Sequence, residues 1–317
     1  MDSFLFSLES VFPLFALIAL GYFLGQKGFI TKGFTSAGTK LVFNFCLPVL
    51  LFRQISAANL SDVFNIKLIG FSLITTLLVL FLLILLVPRF IKGDPQRGAY
   101  IQGVYRGNFS ILGVPLAISM FGTEGAAPAS LLLPFTVPLY NVAAVIVLTI
   151  YGPKENTKKG PSVGSILKGI VTNPLIIGIV LALPFSLLHW SLPKFLDKTL
   201  ADLSSMTTPL ALICLGAGFD FKQSKKQLSL GLSATFLKLI LIPVIVVGAA
   251  IAMGFRGGEL GAIFIQFMAP SAVSSYIMAK NMHSDDALAG QILIYTTIAS
   301  CITLFAGIYL LRSWGLI

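Results

Sequence analysis

The chain alternates long apolar runs with short polar segments. Ten runs stand out, at about 5–25, 39–55, 68–87, 98–121, 130–151, 170–188, 199–219, 228–253, 261–279 and 287–311. With about 1.5 Å of rise per residue, runs of this length suit helices that cross a hydrocarbon core about 30 Å thick. The pattern predicts an all-α membrane protein with ten transmembrane helices. Two runs are not uniformly apolar. Run four carries Arg106, Asn108 and Ser110 near its midpoint, then Gly113 and Pro115. Run nine carries Gln266, Pro270, Ser271, Ser274 and Ser275. A proline removes one backbone donor and clashes with the preceding turn. Hydrocarbon holds no water to satisfy the freed groups, so such a break survives only where protein covers it or where it lines a cavity.

The two halves echo each other. The longest polar stretch divides the chain into a first five-helix repeat at 1–151, a linker at 152–165 and a second repeat at 166–317. Pro13-Leu14 in span one resembles Pro174-Leu175 in span six. Leu47-Pro48-Val49-Leu50 in span two resembles Thr208-Pro209-Leu210-Ala211 in span seven, and Pro115 in span four answers Pro270 in span nine, all at a near-constant offset. Five is odd, so the second repeat must enter the membrane inverted. Inverted repeats with paired broken helices belong to secondary transporters, which bind near the midplane. If spans four and nine cross at Pro115 and Pro270, half-helix ends meet at mid-bilayer, and an exposed helix N-terminus attracts anions.

The candidate binding residues are therefore Arg106, Asn108, Ser110, Pro115, Gln266, Pro270, Ser271, Ser274 and Ser275. The plainer reading of the serines and glycines is close helix packing. Arg106 also has two readings. It faces the site, or it snorkels back towards Arg97, nine residues and about 14 Å away along the helix. Lys40, near the start of span two, reads as a snorkelling side chain. Lys238 lies deeper and has no evident role.

Composition sharpens the class: 56% of residues are hydrophobic and 11% charged, with a mean hydropathy of +0.93, whereas soluble domains run near ~25% charged. The net charge of +10 does not indicate nucleic acid, because the cations sit in short loops. One set of alternate loops holds Lys27, Lys32, Arg89, Lys92, Arg97, Lys154, Lys158, Lys159, Lys168, Lys222, Lys225, Lys226 and Lys280. The other holds Arg53, Lys67, Lys194, Lys198, Arg256 and Arg312. The positive-inside rule then places both termini outside. The acidic start, with Lys27 and Lys32 after the first span, reads as a retained anchor rather than a cleaved signal.

Several chemistries lack their residues. Cys46, Cys214 and Cys301 lie far apart inside apolar runs, and His189 and His283 fall in loops, so neither metal nor cofactor is expected. Every acid, from Asp2 to Asp286, falls in a loop or at a span edge. No midplane carboxylate is present to hold sodium or relay protons. Cations without acidic partners favour an anionic substrate. Gly160-Pro161-Ser162-Val163-Gly164 matches a hydrolase elbow but lacks the strand-to-helix turn and the nearby histidine. An enzyme is therefore not expected.

The sequence around these features resembles the auxin efflux carrier family, bacterial relatives of plant PIN proteins in the bile acid/sodium symporter-like superfamily. The resemblance rests on Phe12-Pro13-Leu14-Phe15-Ala16-Leu17-Ile18-Ala19-Leu20-Gly21-Tyr22, on Leu41-Val42-Phe43-Asn44-Phe45-Cys46-Leu47-Pro48, on Arg106-Gly107-Asn108-Phe109 with Gly113-Val114-Pro115, and on Pro209-Leu210-Ala211-Leu212 with Leu215-Gly216. It adds Asn44 to the candidate site. It implies a scaffold of spans one, two, six and seven, and a transport domain of spans three to five and eight to ten crossed at Pro115 and Pro270. It also implies small organic anions as substrates, auxin-like or short mono- or dicarboxylates, and a homodimer formed through the scaffold in a bacterial inner membrane. Bile acid symporters hold sodium partly through a crossover carboxylate; this chain departs from that, and no dedicated sodium site is expected. The alternative to transport is a membrane-embedded sensor that binds such a ligand without moving it.

Overall fold

The structure is a computed structural model that describes residues 2–57, 65–109, 113–152, 164, 169–219 and 227–317. Ser110, the linker residues 153–163 with most of the elbow-like motif, the cations Lys154, Lys158, Lys159, Lys168, Lys222, Lys225 and Lys226, and the acids Asp62, Glu155 and Asp220 lie outside the described residues. The described helices are α1 (Asp2–Gln26), α2 (Lys32–Ser56), α3 (Ile66–Phe90), α4 (Asp94–Tyr105), α5 (Val114–Gly125), α6 (Ala127–Ile150), α7 (Pro174–Leu187), α8 (Lys194–Gly218), α9 (Leu228–Ala252), α10 (Gly257–Met268), α11 (Val273–Asn281) and α12 (Asp286–Ser313). Among the described residues, extended pairing is confined to one antiparallel bridge, between Gly107 and Ser271.

Six of these helices, α2, α3, α6, α8, α9 and α12, are long and apolar enough to cross a membrane. The apolar part of α1 and α7 are shorter. Runs four and nine are each divided, into α4 and α5 and into α10 and α11. Two long helices carry a π turn immediately before a proline: Val42–Cys46 ahead of Pro48 in α2, and Leu237–Leu241 ahead of Pro243 in α9. A proline ring collides with the carbonyl four residues back. A locally wider turn relieves that collision without ending the helix.

Glycines set the closest helix contacts. α1 packs on the second half of α8, and α7 packs on the second half of α2. A Cβ on Gly216 would lie 2.0 Å from the Ile18 carbonyl oxygen, and one on Gly21 2.2 Å from that of Ile213. Gly178 approaches the Pro48 carbonyl in the same way, at 2.6 Å. Small residues let helix backbones meet, which is how membrane helices gain packing energy without a hydrophobic drive between them. One buried cluster joins α2, α7 and α8 to the inner faces of α6 and α11; a second fills the space among α3, α4, α5, α6, α9, α10 and α12. Outward faces stay apolar, as at Ile74, Leu77, Leu78 and Phe81 of α3 and Val244 and Ile245 of α9. Contiguous apolar surface of this kind is a lipid-facing surface.

The loops gather in two groups. In one, the Asp285 N–H donates to the Pro95 carbonyl (3.2 Å) and the Gln227 amide to Asp285 Oδ2 (2.6 Å). In the other, the Asn65 amide donates to Glu259 Oε1 (2.6 Å), Lys67 Nζ to the Met253 carbonyl (2.9 Å) and the Gly257 N–H to the Leu316 carbonyl (2.8 Å). Arg53 pairs with Asp197 at 3.0 Å, tying α2 to α8.

Candidate functional site

The two divided runs touch at their breaks. In run nine the cause is local. Pro270 has no N–H for the Gln266 carbonyl, and Ala269 (φ −56°, ψ 137°) and Ala272 (φ −72°, ψ 138°) leave the helical region around it. In run four, α4 ends where Arg106 turns extended at φ −92°, ψ 112°. Gly107 then pairs with Ser271, and the Asn108 N–H donates to the Pro270 carbonyl at 2.7 Å. Only glycine fits at 107, because a Cβ there would lie 2.9 Å from the Gln266 carbonyl oxygen. Each break satisfies part of the backbone that the other exposes.

The crossing is therefore not at Pro115. That proline is exposed and lies just inside α5, behind the π-helical Gly113. Phe109 and Gly113 ahead of it are π-helical, so a wider turn takes up the ring, as it does ahead of Pro48 and Pro243. The break lies ahead of it, from Arg106 onwards.

Arg106 does not snorkel. It is 3% exposed, its Nη2 donates to Asn141 Oδ1 at 2.7 Å, and its Nη1 lies 2.7 Å from Met278 Sδ. Asn141 is itself oriented, since its amide nitrogen donates to the Val137 carbonyl at 2.8 Å. Among the described residues the guanidinium is thus held by dipoles and not by a carboxylate.

Arg106 and Asn108 line a cavity of about 40 Å³ between the crossover and the helices α2 and α8. Ser274, in the first turn of α11, lines it too, so the positive end of that half-helix faces the same space. The opposite wall carries Gln54, Thr207 and Thr208. Gln54 Oε1 and Thr207 Oγ1 are buried without hydrogen-bond partners. No described lining residue is acidic. The volume suits about one water, against roughly 300–1,000 Å³ for a typical ligand pocket. An organic anion would enter only if the walls part.

The other candidates fall elsewhere. Pro270 belongs to the crossover itself. Ser271 and Ser275 lie behind it, buried, with hydroxyls that lack partners, although the Ser271 N–H donates to Thr296 Oγ1 at 3.1 Å. The Gln266 side chain is structural. It accepts from Ser72 Oγ (2.6 Å) and donates to Thr76 Oγ1 (3.3 Å), fastening α10 to α3. Asn44 is not part of the cavity; it is exposed on α2 and donates to the Lys40 carbonyl at 2.9 Å. Lys40 is exposed, and Lys238 is 1% exposed on the π turn of α9. Among the described residues no three His, Cys, Asp or Glu side chains gather as a metal site would need.

Sequence reasoning passed over Asn141, Tyr140, Gln54, Thr207 and Thr208. Asn141 carried a signal, an amide amid an apolar run. Thr208 precedes the repeated Pro209.

Comparison with known proteins identifies a family of transporters. The chain is 25% identical over 303 residues to an uncharacterized transporter of Methanothermobacter thermautotrophicus, covering 95% of this chain and 97% of that one. It is 24% identical over 315 residues to a putative malonate transporter of Rhizobium meliloti, covering 96% of each. It is also 25% identical over 338 residues to auxin efflux carrier component 8 of Arabidopsis thaliana, covering 88% and 91%. The family model described as membrane transport protein matches residues 6–307. With a family match across nearly its whole length, and with helices to suit a bilayer, the chain belongs to the membrane transport protein family that includes the auxin efflux carriers.

Proposed function

We propose that this membrane transporter carries small organic anions, as a secondary transporter or facilitator working by alternating access. The observation that carries the reading is the buried Arg106 guanidinium. Among the described residues it has no carboxylate partner, and it faces a small cavity together with Asn108 and the first turn of α11. A buried charge held only by dipoles is costly unless something compensates it, and an anion in the cavity would do so. One relative is named for malonate and another for auxin, and both compounds are carboxylates. Short mono- or dicarboxylates are the substrate class proposed here.

In this reading ten spans form two inverted repeats. Spans one, two, six and seven make the scaffold and a homodimer interface. The other spans move against it, opening the cavity to one side and then the other, with both termini outside an inner membrane. The pairing of α1 with α8 and of α2 with α7, two contacts related by exchange of the halves, supports the inverted repeat. So do the paired breaks.

The test is a thermal-shift screen of the purified chain against a carboxylate panel, followed by uptake of the stabilising compounds into liposomes under separate proton, sodium and potential gradients. Stabilisation with flux supports transport. Stabilisation without flux under any gradient favours the sensor, and no stabilisation by any carboxylate removes the anion reading.

A further inference from the structure

Lys238 takes no part in the cavity, yet it is the second cation buried at the crossover. It sits on the π turn of α9, 1% exposed. Among the described residues its ammonium has neither an ion-pair nor a hydrogen-bond partner. A side chain on Gly107 would begin 3.2 Å from Lys238 Nζ and 2.9 Å from the Gln266 carbonyl oxygen, so both atoms face the same point of the crossover. That carbonyl has no helical donor, because residue 270 is proline. Ser271, bridged to Gly107, holds a buried hydroxyl with no partner. The C-terminal ends of α4 and α10, at Tyr105 and Met268, also close on this point, and helix C-termini carry partial negative charge.

Uncommitted oxygens and two negative helix ends make a place for a cation. In transporters built on broken helices, unwound carbonyls and half-helix C-termini of this kind coordinate a dissolved ion. Here, among the described residues, no carboxylate completes the shell, and the ammonium of Lys238 lies beside it. We propose that Lys238 is a tethered cation, holding at the crossover the charge that a dissolved monovalent cation would otherwise supply. The crossover then keeps its geometry and its positive potential through the cycle with no ion to bind or release. This deepens the anion-binding reading of the same crossover and rests on it.

The test follows thermal unfolding of the full chain in detergent, with no organic anion present. Sodium chloride, methylammonium chloride and choline chloride are compared at constant ionic strength. The native chain and Lys238→Arg should unfold at one temperature in all three salts. Lys238→Ala should unfold at a lower temperature in choline and recover saturably, by at least about 2 °C, in sodium or methylammonium. A Lys238→Ala protein indifferent to every cation would overturn the proposal, as would a native chain stabilised by sodium over choline. If Lys238→Ala yields no folded protein, the other two arms decide. A cation-indifferent native chain with a folded Lys238→Arg supports the tether, and sodium stabilisation of the native chain refutes it. Because no carboxylate is present, failure here is separable from failure of the transport reading, which the carboxylate panel judges.

Discussion

Arg106 and Asn141 carry the chemistry that a single residue can carry. If the guanidinium meets a substrate carboxylate, Arg106→Gln removes one charge-assisted hydrogen bond while leaving an amide to face Asn141. Such a bond is worth about 1.5–3 kcal/mol, so affinity for a carboxylate that stabilises the native chain should fall roughly 10- to 150-fold in titration calorimetry, with the yield of folded protein little changed. Unchanged affinity would move the anion away from Arg106. Asn141→Leu probes the other side of the pair. It strips the guanidinium of the only oxygen partner among its described contacts, and a buried charged group left unpaired costs about 1–3 kcal/mol or more. The thermal midpoint should drop, and the double variant Arg106→Leu with Asn141→Leu should regain part of the loss, because an apolar pair leaves no orphan. A double variant less stable than Asn141→Leu alone would show that the guanidinium finds another partner. Arg106 was legible in the sequence as a costly charge at depth. Asn141 was not used, because one amide in an apolar run does not say which neighbour it faces.

At the scale of elements, glycine spacing decides how the helices meet. The α1–α8 contact leaves no room for a methyl group at Gly216, where a Cβ would lie 2.0 Å from the Ile18 carbonyl oxygen. Gly216→Ala should therefore destabilise the protein by about 1–3 kcal/mol through overpacking, seen as a lower thermal midpoint. Gly248 of α9 supplies the control, since a Cβ there meets nothing within 4 Å. Gly248→Ala should be neutral or slightly stabilising on helix propensity alone. Equal midpoints for the two variants would contradict the close contact. The same scale explains the misplaced crossing. The sequence places the crossing at Pro115 and Pro270, and Pro270 does interrupt its helix. Pro115 follows the π-helical Gly113, and Pro48 and Pro243 are absorbed by π turns. In run four the extended turn at Arg106 comes before Gly107, the glycine that lets the two breaks touch.

Over the whole molecule, loop charge bears on orientation. Alternate loops differ in cation content, and the described loops meet in two groups along the same division. The positive-inside rule then assigns the linker to the cytoplasm and the C-terminal end of α12 to the outside. With the native cysteines removed, Ser313→Cys should react with an impermeant thiol reagent in intact cells, and Ser162→Cys should be protected until the membrane is opened. Ready labelling at 162 would invert the topology, and labelling at both positions in intact cells would end the inverted-repeat argument.

The sequence by itself determined the class, the family and the two runs in which a helix fails, but not the residue at which run four does so. These follow from one-dimensional quantities: the length of an apolar run against bilayer thickness, a proline without an N–H, and a charge where none is cheap. Only the tertiary structure decided what those failures do. Gly107 meets Ser271, Gln266 turns away to Ser72 and Thr76, Arg106 turns to Asn141, and Thr207 faces the crossover from α8. Each of these pairs lies far apart in sequence or on helices whose rotation a nearly all-apolar run leaves unspecified. When every face of a helix is apolar, periodicity cannot say which face is inward, and only packing against neighbouring helices chooses.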